Sequence, residues 1–151
     1  MNKVIPPLSK SSHSLETTDA DFCTILVVDD DRRFAQALAA SLGDFYFYTL
    51  LAHDGNVGLA TAICREPDFL LLDTRMPARS GYLVMEYLVT QTDLCIPTIL
   101  LGDNEGERHK SYGKMLGALD FLDKPIKSAE VAAKIAALLK PSCRQAARNS
   151  A

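Results

Sequence analysis

The sequence predicts an α/β protein, a doubly wound three-layer sandwich in which a five-stranded parallel sheet is covered by five helices. Two observations indicate this fold class. Segments typical of strands and of helices alternate five times along the chain. Three of the strand segments, at 24–28, 69–72 and 98–101, are apolar at nearly every residue. Strands of this kind are buried on both faces, as in a parallel sheet between helix layers.

Local patterns predict each element in turn. The first helix carries an apolar stripe at Phe34, Leu38 and Leu42, which is the spacing of one helix face. Asn56 and Ser128 are expected to cap the second and the fifth helix. The full prediction places strands at 24–28, 45–52, 69–72, 98–101 and 120–122, loops at 74–80 and 102–106, and the later helices at 56–65, 81–90, 105–115 and from 128 to the residues before Pro141.

The length of 151 residues suits one domain. Both ends are polar and lack a sustained apolar period. We therefore expect a flexible leader at 1–21, a folded domain at 22–140, and a flexible tail or linker start at 141–151.

Composition excludes several classes of function. The net charge is −3, and its acidic excess lies in the centre of the chain, which argues against direct nucleic-acid binding. No apolar run approaches the roughly 20 residues that span a bilayer, and the N-terminus lacks the apolar core of a secretory signal. We therefore expect a cytoplasmic protein without membrane contact. The four cysteines (Cys23, Cys64, Cys95 and Cys143) form no metal-binding pair and are predicted to be reduced thiols, mostly small core fillers.

Acidic residues follow two of the predicted strands. Asp29 and Asp30 come directly after the first strand, and Asp73 comes directly after the third. The carboxyl ends of parallel strands meet at one edge of the sheet, where α/β proteins bind ligands. Three carboxylates repel one another there, and a hard cation such as Mg²⁺ offsets that repulsion. The competing interpretation is that single aspartates of this kind cap helices, as Asp30 or Asp31 could for the first helix.

Lys124 follows the fifth strand and is expected at the same edge. A metal ion and a lysine together neutralise a phosphoryl group, whose transfer depends mainly on positioning and charge. A carboxylate can itself be the nucleophile, which gives an aspartyl phosphate. This combination predicts phosphoryl chemistry more strongly than any one of its residues does.

With these residues placed, the sequence resembles the receiver domain of two-component response regulators, in the CheY-like superfamily. The resemblance covers about residues 23–140 and implies the flavodoxin-like strand order 2-1-3-4-5. The matching stretches are ILVVDDD (25–31), LLLDTRMPARSG (70–81), IPTILL (96–101) and GALDFLDKPI (117–126).

The resemblance implies a role for each matching residue. Asp73 corresponds to the phosphoacceptor, which takes its phosphoryl group from a histidine kinase or a histidine phosphotransfer protein. Asp29 and Asp30, with the backbone carbonyl of Arg75, correspond to the ligands of Mg²⁺ (or Mn²⁺). Lys124 corresponds to the lysine that contacts the phosphoryl oxygens, and its bond to the following proline is expected to be cis.

Two further positions concern the conformational switch of the family. Phe121 stands at the position of the aromatic switch residue. Gly102 stands where the family carries a Ser or Thr, so the hydroxyl that would bind the phosphoryl group is missing. Asp103 adds a carboxylate beside it, which is expected to repel the phosphoryl group, bind the metal or face solvent. If a switch exists, the Gly102 N–H or the loop 102–106 must carry it.

These observations favour a signalling domain, phosphorylated on Asp73 with Mg²⁺, over an enzyme. Its output partner is expected to bind the face formed by the fourth helix, the fifth strand and the fifth helix. Because Gly102 lacks the hydroxyl, the alternative is a receiver-like interaction module that works without phosphorylation. A dehalogenase-type phosphohydrolase is the less favoured alternative, since that class requires an aspartate where Arg75 stands.

Overall fold

The computed structural model describes residues 22–139, which form five strands and five helices in alternation. The strands are β1 (Thr24–Val28), β2 (Tyr48–Ala52), β3 (Phe69–Asp73), β4 (Thr98–Gly102) and β5 (Asp120–Asp123). The helices are α1 (Arg32–Gly43), α2 (Gly55–Arg65), α3 (Gly81–Gln91), α4 (Gly106–Met115) and α5 (Ser128–Leu138).

All strands are parallel, and their order in the sheet is β2-β1-β3-β4-β5. The fold class and strand order predicted from the sequence are therefore confirmed. Helices α1 and α5 pack on one face of the sheet, and α2, α3 and α4 pack on the other. Every residue of β3 and β4 is buried, as expected for central strands covered on both faces.

Helix α4 is the most weakly buried of the five. Its sequence is polar, and Gly113 is its one buried residue. A Cβ atom at Gly113 would lie 2.6 Å from Cδ1 of Leu100, so the glycine lets the helix approach the sheet. The position of α4 thus depends on few apolar contacts.

Four details of the local prediction are wrong. The second strand begins at Tyr48, because residues 44–46 form a turn in which Tyr46 has a positive φ. Asp54 rather than Asn56 caps α2, accepting a hydrogen bond from the Val57 N–H.

The other two errors lie in the second half of the chain. Gly102 ends β4 and does not belong to the loop that follows. Ser128 is the first residue of α5 rather than its cap, and no side chain caps that helix.

The loop between β3 and α3 lies against glycines at two points. A Cβ atom at Gly55 would lie 1.9 Å from the backbone oxygen of Arg79. A Cβ atom at Gly81 would lie 2.2 Å from the backbone oxygen of Asp73. Both contacts are with backbone atoms, so only glycine fits.

The cysteines differ from the prediction. Cys64 and Cys95 are free but exposed, so they do not fill the core. Cys23 is buried and disulfide-bonded, so it is not a reduced thiol. The fourth cysteine, the predicted leader and the predicted tail lie outside the described residues. Among residues 22–139, no helix is long and apolar enough to cross a membrane.

Candidate functional site

The three acidic residues meet at the carboxyl edge of the sheet. Asp29 directly follows β1, Asp73 ends β3, and each of Asp29, Asp30 and Asp73 places a carboxylate oxygen within 4.8 Å of the others. Asp29 and Asp73 are buried, whereas Asp30 is exposed. We call these three residues and Lys124 the acidic pocket. The helix-capping role belongs to Asp31, which accepts a hydrogen bond from the Phe34 N–H.

Asp29 is fixed on three sides. One of its carboxylate oxygens lies 2.7 Å from Nζ of Lys124, and the other accepts a hydrogen bond of 2.9 Å from the Asp31 N–H. Its backbone oxygen lies 3.0 Å from Nδ1 of His53. A fully buried carboxylate needs such partners, because leaving it unpaired is costly.

Lys124 links the two buried carboxylates. Its Nζ lies 3.6 Å from Oδ2 of Asp73, in addition to its close contact with Asp29. Burial alone would lower the pKa of Lys124, but the hydrogen bond and charge of Asp29 and the charge of Asp73 raise it overall. The ammonium also lies 4.9 Å from the ring centroid of Phe34, a distance at which the ring face attracts a cation. Lys124 is therefore a fixed positive charge at neutral pH.

Asp73 is the electrostatically strained member of the pocket. Burial, followed by the negative charge of Asp29, raises its pKa from 3.8 to about 7. Lys124 and the hydrogen bond of 3.3 Å from the Arg75 N–H act in the opposite direction and do not cancel the rise. The pocket therefore holds more negative charge than its own cation compensates.

The donor set fits a hard divalent cation. Three carboxylates with oxygens close together, one of them exposed, match the oxygen ligands and partial hydration that Mg²⁺ prefers. Burial and then the charge of Asp29 raise the pKa of Asp73, and a bound cation would oppose both effects by stabilising the carboxylate.

A second group of residues surrounds Gly102 at the ends of β3, β4 and β5. A Cβ atom at position 102 would lie 2.7 Å from Oγ1 of Thr74, 2.7 Å from Cζ of Phe121 and 3.1 Å from Oε1 of Glu105. Phe121 is buried, with Nζ of Lys110 5.4 Å from its ring centroid. The space beside Gly102 is thus filled by neighbouring side chains.

Glu105 is the central residue of this second group. Its side chain is 5% exposed, and it accepts hydrogen bonds from the Thr74 hydroxyl and, at 2.9 Å, from the Tyr82 hydroxyl. Burial, and then the hydrogen bond to Glu105, raises the pKa of Tyr82, so the tyrosine stays a donor. The exposed Arg75 places Nε 3.5 Å from the same carboxylate. We call Thr74, Tyr82 and Glu105 the Glu105 network.

Sequence reasoning placed the acidic pocket but missed the Glu105 network. The many charged residues of 103–114 are typical of a solvated helix face, and Glu105 departs from that pattern. A signal was present, because a glycine at the end of a buried strand leaves space that a neighbour must fill. Asp103, for which three roles were open, is exposed beside Lys124 in a cavity of about 300 Å³.

Fold and site together define a class: a doubly wound α/β protein with three clustered carboxylates and a lysine at the carboxyl edge of its sheet. The family model of the response regulator receiver domain matches residues 25–136. The transcriptional regulatory protein CpxR of Klebsiella pneumoniae is 39% identical over 118 residues, which are 78% of this chain and 50% of that protein. The alkaline phosphatase synthesis transcriptional regulatory protein PhoP of Bacillus subtilis is 34% identical over 118 residues, 78% of this chain and 49% of that protein.

Solved structures agree with these sequence matches. The chemotaxis protein CheY4 of Vibrio cholerae superposes with a TM-score of 0.71 at 25% identity, covering 78% of this chain and 99% of that one. The signal receiver domain of a signal transduction histidine kinase from Syntrophus aciditrophicus gives 0.68 at 31% identity, covering 77% and 89%. The chain belongs to the response regulator receiver domain family. It spans about half the length of the curated transcriptional regulators it matches here.

The expected cis peptide bond is present between Lys124 and Pro125. The roles that the resemblance implies for individual site residues, including the Arg75 carbonyl, the Gly102 position and Phe121, stay predictions.

Proposed function

We propose that this domain accepts a phosphoryl group on Asp73 from the phosphohistidine of a histidine kinase or a phosphotransfer protein, and changes its partner contacts in response. One observation carries the proposal: three carboxylates and Lys124 converge at the edge of the sheet where phosphoryl transfer needs them. Asp73 is the acceptor, because it is held between Lys124 and the other acids.

The transfer requires two residues to act together. An oxygen of the Asp73 carboxylate bonds to phosphorus while the bond from phosphorus to the donor imidazole nitrogen breaks, and that electron pair stays on the nitrogen. Lys124 is in place to neutralise one phosphoryl oxygen, since its Nζ lies 3.6 Å from Oδ2 of Asp73. The Asp29 carboxylate holds the lysine in that position.

We further propose that Asp29, Asp30, Asp73 and the backbone carbonyl of Arg75 bind Mg²⁺, or Mn²⁺ in its place. When bound, the ion supplies positive charge to the phosphoryl oxygens. Asp29 and Asp73 contribute fixed, buried oxygens, while the exposed Asp30 is free to bind directly or through water.

The output is proposed to be a change of contacts on the face formed by α4, β5 and α5, with self-catalysed phosphorylation and dephosphorylation as the only reactions. Two ion pairs cross this face: Lys110 binds Asp123 and Lys134 binds Asp120. We place the protein in the cytoplasm, where phosphohistidine is formed from ATP, although a disulfide such as that of Cys23 is uncommon there. We expect no direct contact of this chain with nucleic acid or membrane.

The test is incubation with acetyl phosphate and Mg²⁺, followed by intact mass measurement. The wild-type chain should gain one base-labile phosphoryl group. Asp73→Asn should gain none. Asp93→Asn, which changes an exposed carboxylate between α3 and the start of β4, away from the acidic pocket, should behave like the wild type.

The missing hydroxyl at Gly102 favours a second candidate, an interaction module that works without phosphorylation. That candidate predicts no adduct with any competent donor. Steady release of phosphate from many phosphoesters would instead indicate a phosphohydrolase and overturn both.

A further inference from the structure

Helix α4 begins in an unusual way. Glu105 stands at its N-cap position, but its side chain makes no capping hydrogen bond. The carboxylate turns away from the helix into the interior, where its side chain is 5% exposed. A residue that gives up the cap and buries a charge must gain its partners elsewhere, because an unpaired buried carboxylate is strongly destabilising.

Those partners lie on two other elements. The Thr74 hydroxyl, directly after the proposed phosphoacceptor, donates to one carboxylate oxygen, and the Tyr82 hydroxyl of α3 donates to the other. Since α4 buries only Gly113, the Glu105 network is a main attachment of its N-terminal end to the rest of the domain.

The network also occupies the position of the missing hydroxyl. Oγ1 of Thr74 lies 2.7 Å from the place where a Cβ atom of residue 102 would be, which is within reach of the position a serine hydroxyl would take there. The chain therefore still has a hydroxyl beside the acidic pocket, but it comes from the end of β3 instead of β4.

We propose that the Thr74 hydroxyl replaces the absent side chain at Gly102, and that Glu105 is the positioning residue through which it holds α4. The inference rests on the proposed phosphorylation of Asp73. A hydroxyl has one proton to donate, whereas a phosphorylated Asp73 presents a second anion beside it. When Thr74 donates to the phosphoryl group, Glu105 loses that bond and keeps Tyr82 and the exposed Arg75, and the 103–110 segment loosens.

Hydrogen exchange of residues 103–110 tests this, measured with and without acetyl phosphate and Mg²⁺. In the wild type, phosphorylation should make exchange in this segment about tenfold faster. Thr74→Val lacks the donor, so its exchange should be fast before phosphorylation and unchanged after it. Thr74→Ser keeps the hydroxyl and should restore the wild-type difference.

Glu105→Gln should reduce the phosphorylation-dependent difference, because the anion that competes for the hydroxyl is gone. Glu107→Gln changes the same charge on an exposed side chain of α4 and serves as its control. Intact mass reports the adduct in every variant. If Thr74→Val gains the adduct and still shows the same change in exchange on phosphorylation as the wild type, this inference alone is overturned. If the wild type gains no adduct, the proposed function is overturned as well.

Discussion

The acidic pocket and the Glu105 network lie side by side at one edge of the sheet, yet they differ in how their buried negative charge is balanced. The pocket buries Asp73 beside Asp29 with Lys124 as its one internal cation, and burial, followed by the charge of Asp29, raises the pKa of Asp73 to about 7. In the Glu105 network, a single buried carboxylate is met by the hydroxyls of Thr74 and Tyr82. The acidic pocket has an excess of negative charge that a cation would balance. The carboxylate oxygens of Glu105, in contrast, already accept hydrogen bonds.

The difference separates a region whose residue types match the receiver family from a region that departs from the family at Gly102. The pocket has every residue type that phosphoryl transfer on a carboxylate requires. The neighbouring region is filled differently, because β4 ends in a glycine and the hydroxyl beside it comes from Thr74, the residue after β3. The residues of the acidic pocket and those of the Glu105 network are therefore distinct, so the network can be altered by substitution while the residues proposed for phosphoryl transfer stay in place.

The largest expected effect comes from removing the cation of the pocket. Lys124→Met leaves Asp29 buried without its 2.7 Å partner and should lower the free energy of unfolding by about 3–5 kcal/mol at pH 8. Lys134→Met breaks a pair that is partly exposed, and should change stability by about 0–1 kcal/mol. Urea unfolding of both variants measures the two losses in free energy of unfolding. Equal losses would show that the buried ion pair of Lys124 contributes no more to stability than the partly exposed pair of Lys134.

The pH dependence of stability should be the next largest effect. Because the pKa of Asp73 is 3.8 when unfolded and about 7 when folded, the folded chain holds an extra proton between these values. Its stabilising contribution is complete below about pH 4 and is lost as the pH rises through 7. At about 1.4 kcal/mol per pKa unit, the Mg²⁺-free protein should lose up to about 4 kcal/mol from this group.

Urea unfolding at pH 5 and pH 8, with EDTA or with Mg²⁺, measures this dependence. Asp73→Asn removes the titrating group and should flatten the profile, and Mg²⁺ should restore stability at pH 8. If Asp73→Asn and the wild type lose stability equally between pH 5 and pH 8, a group other than Asp73 causes the pH dependence.

The smallest effect concerns the region around Gly102. Gly102→Ser introduces a Cβ atom 2.7 Å from both Thr74 Oγ1 and the Phe121 ring, and should destabilise the domain by about 1–3 kcal/mol. The double variant Thr74→Ala with Gly102→Ser makes room and should recover part of that loss. Thermal unfolding of the single and double variants checks this. Purely additive losses of stability would contradict the inference that the Thr74 hydroxyl takes the place of a side chain at position 102.

The fold and the acidic pocket were predictable because their causes are short-range in sequence. Apolar runs that end in Asp29 and Asp73 set both the buried strands and the edge at which the acids meet. Lys124 follows its strand in the same way. Parallel strands then bring these positions together without further information.

The Glu105 network was not predictable from these rules. Glu105 lies among the charged residues of a polar helix, and only the close approach of β3 and β4 shows that its side chain is buried. The cap of α2 was misassigned for a similar reason, since Asp54 and Asn56 are both good capping residues and the backbone path decides between them. Ser128 is also a good capping residue, but the backbone path makes it the first residue of α5.

The two glycines that bracket the β3–α3 loop have a consequence for comparing relatives. At positions 55 and 81 a side chain is excluded by the backbone oxygens of Arg79 and Asp73, whether or not Asp73 ever carries a phosphoryl group. Natural variation at these positions is therefore restrained by packing alone. A variant of this domain that cannot be phosphorylated would still need both glycines for the loop to pack, so their presence does not by itself indicate phosphoryl chemistry.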